Sequence, residues 1–379
     1  MHSLYFDHAA TTRPHASVVA CVLETLEDNF ANPSSLHRQG LFAERLVEEA
    51  RVTLAEALFC DEDEIVFTSG GTEANFLALA GTLRTGDTVL TTPLEHASIR
   101  VALDYLRETG VSYQELALLP DGTVDPAALE EALTPDVRLV SLQHVNNETG
   151  LIQPLEKLAR IVKKKDPTVL LHSDGIQAFG KFASPIRAAQ LDLYSVSGHK
   201  IGGLKGTGAL YIRRNTRFTP VMAGGGQEGG RRGGTQNVPG IAGFACAVRE
   251  WNKNQDAWTA HSRTLRAAFW EKLQRMEGVR VQSPDDGSPF ILSVGFSDTR
   301  GEVLLHMLEQ KGISVSTGSA CSKGTASRVL QKLGYSDKTG QGTVRISFGP
   351  ENTMEDVNAL AEALSDGVAF IRKMTRSGQ

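Results

Sequence analysis

The chain has 379 residues, of which 41% are apolar and 22% charged, with a net charge of −5. That is the composition of a globular protein with volume for two or three domain-sized units. It excludes a general electrostatic attraction to nucleic acid or to an anionic membrane surface. No apolar run approaches the ~20 residues of a membrane helix, and residues 1–7 lack the charged and apolar regions of a signal peptide. Cys21, Cys60, Cys246 and Cys321 are scattered, with no C-x-x-C pair. This argues against a zinc site or a disulfide framework and fits a reducing cytoplasm.

The pattern is helical from residue 13 to about 58, broken by a loop at Asn32-Pro33-Ser34-Ser35. A strand–helix rhythm follows. Strands are expected at 65–68, 87–92, 111–116, 138–144, 168–172, 191–196 and 209–212. Helices are expected at 72–83, 97–108, 126–133 and 155–165, with a short one at Gln177. The alternation predicts an α/β fold, a mostly parallel sheet flanked by helices, whose last two strands form a hairpin. A long helix is expected at 241–276. Beyond it the pattern changes to a smaller α+β unit, with strands at 290–296, 313–317 and 343–348 and helices at 301–311 and 354–373. The expected division is a large domain at 13–255 and a small one made of 1–12 and 256–379.

Ligands of open α/β sheets bind beyond the carboxyl ends of the strands. Five of those ends carry polar groups: Ser69-Gly70-Gly71-Thr72, Glu95-His96, Asn146-Asn147, Asp174 to Gln177, and Ser197-Gly198-His199-Lys200. Each has an ordinary reading. Ser69 or Thr72 serves as a helix N-cap, Asp174 caps a turn, His96 is structural, and Lys200 is a solvated surface lysine. Together they form a parts list. A glycine-rich helix start suits a phosphate, an aspartate suits a protonated pyridine nitrogen, a histidine stacks on a flat ring while handling protons as a catalytic residue, and a lysine is a Schiff-base nucleophile. These are the requirements of pyridoxal phosphate.

The order of motifs along the whole chain resembles the cysteine desulfurases of the NifS/IscS-like type, fold-type I pyridoxal phosphate enzymes of the class-V aminotransferase superfamily. The matching stretches are Phe6-Asp7-His8-Ala9-Ala10-Thr11-Thr12, Asn32-Pro33-Ser34-Ser35, Thr68-Ser69-Gly70-Gly71-Thr72-Glu73, and Glu95-His96. They continue with His144-Val145-Asn146-Asn147-Glu148-Thr149-Gly150, His172-Ser173-Asp174-Gly175-Ile176-Gln177, Ser195-Val196-Ser197-Gly198-His199-Lys200, and Gly224-Gly225-Gly226-Gln227-Glu228. Arg232-Gly233-Gly234-Thr235, Gly318-Ser319-Ala320-Cys321 and Val344-Arg345-Ile346-Ser347 complete the set. The resemblance implies that Lys200 holds the cofactor and acts as base at the substrate Cα. Asp174 pairs with the pyridine nitrogen, Gln177 bonds the ring hydroxyl and His96 stacks on the ring. Gly71, Thr72, Ser197 and His199 hold the phosphate, joined by Thr235 from the neighbouring subunit of a homodimer. Asn147 and Arg345 bind the substrate, Arg345 taking its carboxylate in a bidentate pair. No metal is implied.

Cys321 sets the reaction. From Ser316 to Ser327 there is no large apolar residue, which favours an exposed thiol, and Lys323 nearby favours the thiolate. The resemblance implies that Cys321 attacks the sulfur of L-cysteine, leaving a persulfide on Cys321 and releasing L-alanine. The persulfide then passes to a sulfur-acceptor protein, an iron–sulfur scaffold or a tRNA-thiolation enzyme. Two departures leave the acceptor open. The segment after Cys321 is a little shorter than in housekeeping members, and the chain stops soon after its last helix. Rival readings are another fold-type I reaction, such as selenocysteine cleavage or transamination, and a cofactor-less scaffold protein. A nucleotide site at Gly224-Gly225-Gly226 is disfavoured, because no strand leads into it and no G-x-x-x-x-G-K-[ST] is present.

Overall fold

Strands that are apolar along their whole length need cover on both faces, and that requirement shapes the larger part of the molecule. The computed structural model describes residues 4–317, 327–335 and 338–377. In chain order it contains β1 (Leu4–Tyr5), α1 (Ala16–Asp28), α2 (Arg38–Leu58), β2 (Ile65–Thr68), α3 (Gly71–Thr82), β3 (Thr88–Thr91), α4 (Ala97–Arg107) and β4 (Ser112–Glu115). Next come α5 (Pro126–Ala132), β5 (Val137–Gln143), α6 (Leu155–Lys165), β6 (Leu170–Asp174), β7 (Leu193–Ser197) and β8 (Gly208–Ile212). The remainder is α7 (Val238–Leu273), β9 (Val279–Val281), β10 (Ile291–Phe296), α8 (Gly301–Gln310), β11 (Ile313–Ser314), α9 (Arg328–Lys332), α10 (Lys338–Gln341), β12 (Thr343–Ser347) and α11 (Met354–Ser377).

Seven strands form one sheet in the order β2-β8-β7-β6-β5-β3-β4. Only β8 runs against its neighbours; β7 and β8 form the expected hairpin. The other six point the same way, so their carboxyl ends share one edge. Successive residues of each strand feed opposite faces. Leu139, Leu193 and Leu210 pack with Leu77 of α3 and Leu103 of α4. Val140, Tyr194 and Ala209 pack with Leu54 of α2, Leu158 of α6 and Phe244 of α7. β6 is buried end to end although it reads Leu-Leu-His-Ser-Asp. His172 is accommodated by Ser141 Oγ at 2.9 Å and Ser195 Oγ at 3.1 Å on the flanking strands, and burial drives its pKa down to about 3, so it stays neutral.

The 36-residue helix α7 joins this body to a second core. Its first half, through Trp251, packs on the large sheet. From Leu265 onward it packs with Phe296, Val344, Ile346 and Leu364 around the antiparallel sheet β9-β10-β12. The N-terminal segment spans both. β1 pairs in parallel with β11, Phe6 lies in the second core, and Ala9 lies in the first. The expected helix at Gln177 is instead a turn. Asp174 Oδ1 accepts the Ile176 N–H at 3.0 Å, a local side-chain bond that competes with helix formation. The short strand β9 escaped the sequence pattern because it spans only three residues. No helix among the described residues is long and apolar enough to cross a membrane.

Candidate active site

Where the parallel strands end, the loops after β2, β3, β5, β6 and β7 enclose a cleft of about 460 Å³. Gly71, Thr72, His96, Asn147, Asp174, Gln177, Ser197, His199 and Lys200 line it from the large unit, and Arg345 reaches it from β12 of the small unit. Of the residues singled out in the sequence, Thr235 lies outside this cleft and is exposed, and Cys321 lies outside the described residues.

Lys200 follows β7 in a single helical turn, Gly198–Lys200. Its Nζ donates to the carbonyls of Ala9 and Ala10, each at 2.7 Å. Burial is the main influence on its pKa, the Arg345 charge adds to it, and Asp7 and Asp174 oppose it; the result is about 8. A lysine so placed has a substantial neutral fraction near neutral pH and is a competent nucleophile and base. Asp174 ends β6 and accepts from Asn75 Nδ2 at 2.8 Å as well as from Ile176 N–H. Gln177 donates its amide nitrogen to Ala9 O at 2.8 Å, while among the described residues its buried Oε1 has no partner.

His96 is the N-cap of α4. Its Nδ1 accepts from Ser98 N–H at 3.1 Å and lies 2.8 Å from Ser98 Oγ. Burial holds His96 below its ordinary pKa; Asp174 pulls it up, and Lys200 and Arg100 push it further down. His199 is lowered to about 4, first by burial and then by Lys200. Helix α3 opens at Gly71 behind Gly70, whose φ of 152° is one that side-chain-bearing residues rarely adopt, and no side chain caps the helix. The first N–H groups of the helix are thus left for a ligand, with the helix dipole favouring an anion.

Arg345 sits in the middle of β12 with its side chain only 4% exposed, so its charge needs partners. Nη2 donates to Asp7 Oδ1 at 2.7 Å and Nη1 to Asn147 O at 2.8 Å. Asp7, Ser98, Gln143 and Ser316 also line the cleft and were not singled out as site residues. Asp7 had a signal, since it stands in the matched N-terminal motif. Ser98 had only its position two residues after His96.

The residues fit pyridoxal phosphate. A lysine amine, a carboxylate, a half-paired buried amide and a glycine-started helix converge on one cleft. In comparisons with known proteins, the family model described as aminotransferase class-V matches residues 4–360. A cysteine desulfurase IscS 1 of Archaeoglobus fulgidus is 36% identical over 378 residues, covering 98% of each chain. A solved NifS-like protein superposes with a TM-score of 0.92 at 35% identity, over 97% of this chain and 100% of the other. A structure described as SspA in complex with cysteine has a TM-score of 0.81 at 30% identity, covering 93% of this chain and 100% of that one. The chain belongs to the class-V aminotransferase family, among its cysteine desulfurases.

Proposed function

We propose that the protein removes sulfur from L-cysteine with the help of pyridoxal phosphate bound in this cleft, giving L-alanine and a persulfide on Cys321. The observation that carries the reading is the convergence of Lys200, Asp174 and His96 with Arg345, which comes from the other unit. Bound there, pyridoxal phosphate supplies an electron sink for charge at the substrate Cα. Lys200 would hold the cofactor and then take the Cα proton, and its pKa of about 8 suits both tasks. Asp174 would face the pyridine nitrogen, and the free Oε1 of Gln177 the ring hydroxyl. His96 would stack on the ring, and the start of α3 with Ser197 and His199 would hold the phosphate. Arg345 and Asn147 would fix the substrate carboxylate and orient its side chain. The Cys321 thiolate would attack the substrate sulfur. The S–S bond forms as the C–S bond breaks, and the carbon takes up a proton to leave as alanine.

Thr235 is exposed on this chain, which supports its assignment to the neighbouring subunit's site in a homodimer. The persulfide would pass onward, in a reducing cytoplasm, to an acceptor protein of iron–sulfur assembly or tRNA thiolation.

The test is to incubate the purified protein with L-cysteine and follow alanine formation and the mass of the Cys321 peptide. Alanine with a gain of one sulfur on that peptide is expected, and Cys321→Ala should abolish both. Undiminished sulfur release by Cys321→Ala would overturn the desulfurase reading in favour of another reaction of the fold. A colourless protein that takes up no cofactor would overturn the whole assignment in favour of a scaffold.

A further inference from the structure

Helix α3 is buried along most of its length, and most of its inward positions are apolar: Leu77, Ala78 and Leu79 are fully covered. Asn75, one turn in from Gly71, is also fully covered yet polar. Its Nδ2 lies 2.8 Å from Asp174 Oδ2 and 2.9 Å from Ser98 Oγ. A carboxylate oxygen only accepts, so the nitrogen of the amide must face Asp174, and its two hydrogens divide between Asp174 and Ser98. Ser98 Oγ, having accepted one bond, is free to donate its own hydrogen to His96 Nδ1 at 2.8 Å. The Ser98 N–H reaches the same nitrogen at 3.1 Å. Nδ1 is therefore an acceptor, and neutral His96 carries its proton on Nε2.

We propose that Asn75 is a positioning residue that couples Asp174 to His96 through one amide, aiming the carboxylate and turning the Ser98 hydroxyl hydrogen onto the histidine nitrogen that the Ser98 N–H already holds as an acceptor. The proposal rests on the pyridoxal phosphate reading, in which these two groups flank the cofactor ring. A purely space-filling role accounts less well for an amide here. An apolar residue of equal size would fill the same volume, as its neighbours on α3 do. No protein donor among the described residues reaches Asn75 Oδ1, so the side chain is used for its two hydrogens. Asp174 is also felt by Glu95, held at about 8 by burial, by Tyr194 beneath it, and by His96 and Lys200. A change in how its charge is held should therefore register at the cofactor.

The test uses the full chain loaded with pyridoxal phosphate, as wild type, Asn75→Leu, Asn75→Asp and Ser98→Ala. The readouts are the visible absorption band of the bound cofactor against pH, the cofactor dissociation constant, and the pH profile of kcat. In Asn75→Leu the Asp174 charge loses a donor and draws harder on the ring proton. The pH midpoint of the band should rise by about one unit, and the carboxylate, no longer aimed by the amide, should hold the cofactor about tenfold more weakly. Asn75→Asp places two buried carboxyl groups together, one of which must hold a proton, so its midpoint should differ from wild type as well. Ser98→Ala keeps the Asn75–Asp174 bond, so its band midpoint should stay at the wild-type value while the acid limb of the kcat profile moves. A wild-type band with unmoved midpoints and affinity in both Asn75 variants would overturn the coupling alone. So would losses that only track the folded fraction by circular dichroism. A wild-type chain with no band at all would overturn the cofactor reading, and the coupling with it.

Discussion

Lys181 is a buried cation that the reaction does not explain. It follows the turn after β6, is 5% exposed, and lies with its Nζ 5.6 Å from the centre of the Phe290 ring. No carboxylate pairs with it among the described residues. Burial, helped by the charge on Lys200, lowers its pKa from 10.5 to about 7. The unfolded chain therefore holds a proton that the folded chain gives up, and folding bears that cost. The cost is complete below about pH 7, shrinks between pH 7 and 10.5 as the unfolded lysine also loses its proton, and is gone above that. Each unit of displacement is worth ~1.4 kcal/mol. Lys181→Met keeps the length of the side chain and removes the charge. It should stabilise the protein by a few kcal/mol at pH 7, and the gain should fade toward pH 10.5. Urea unfolding at several pH values measures this; a gain that does not vary with pH would show that packing, and not the charge, is responsible.

At the scale of elements, β6 can deliver Asp174 to the cleft because the next residue is Gly175. A Cβ there would stand 2.0 Å from Tyr194 Cζ and 2.3 Å from its hydroxyl. The Tyr194 ring is buried and held by a bond of its hydroxyl to His144 at 3.0 Å. Gly175→Ala should therefore cost ~1–3 kcal/mol by overpacking. In a Tyr194→Leu background the colliding atoms are gone and the same substitution should be nearly neutral. The four proteins of that cycle, compared by urea unfolding, should show a coupling of ~1–2 kcal/mol; equal costs in both backgrounds would sink the packing account. The elements themselves were mostly legible in the sequence. Parallel strands covered on both faces read as unbroken apolar runs, and the polar residues just past them pointed to the cleft. What was hidden is contact between distant parts of the chain. Asn75 meets Asp174 across 99 residues, and on a helix buried along most of its length no amphipathic pattern marks it out. Lys181, within Gly180-Lys181-Phe182, reads as an ordinary surface lysine until the fold covers it. The Gln177 turn is a different case: its bond from Ile176 N–H to Asp174 Oδ1 is local, and an aspartate there reads equally well as the cap of a helix.

Across the whole molecule, nine residues at the N-terminus tie the two cores to the site. Leu4 pairs with Ile313, Phe6 N–H bonds Ser314 O at 2.8 Å, and Ser347 N–H bonds Phe6 O at 2.8 Å. These anchor the segment in the small unit. Asp7 then holds Arg345, Ala9 O receives both Lys200 and Gln177, and Thr12 N–H bonds His199 O at 2.9 Å. The ring of Phe6 is the anchor's main apolar contact. It is fully buried and lies edge-on to Phe348, with ring centres 6.0 Å apart. Phe6→Ala should cost ~3–5 kcal/mol. It should also loosen Asp7, and with it the aim of Arg345, so that KM for L-cysteine rises severalfold although Phe6 does not touch the cleft. Phe269, on α7, is equally buried in the same core and packs on Phe348 from another element, with ring centres 6.2 Å apart. Phe269→Ala should lose similar stability with a smaller change in KM. Steady-state kinetics on the two variants, at a temperature where both are fully folded, separates the cases. Equal rises in KM would mean that the site responds only to the stability of the small unit, and that the N-terminal segment does not transmit the position of that unit to Arg345.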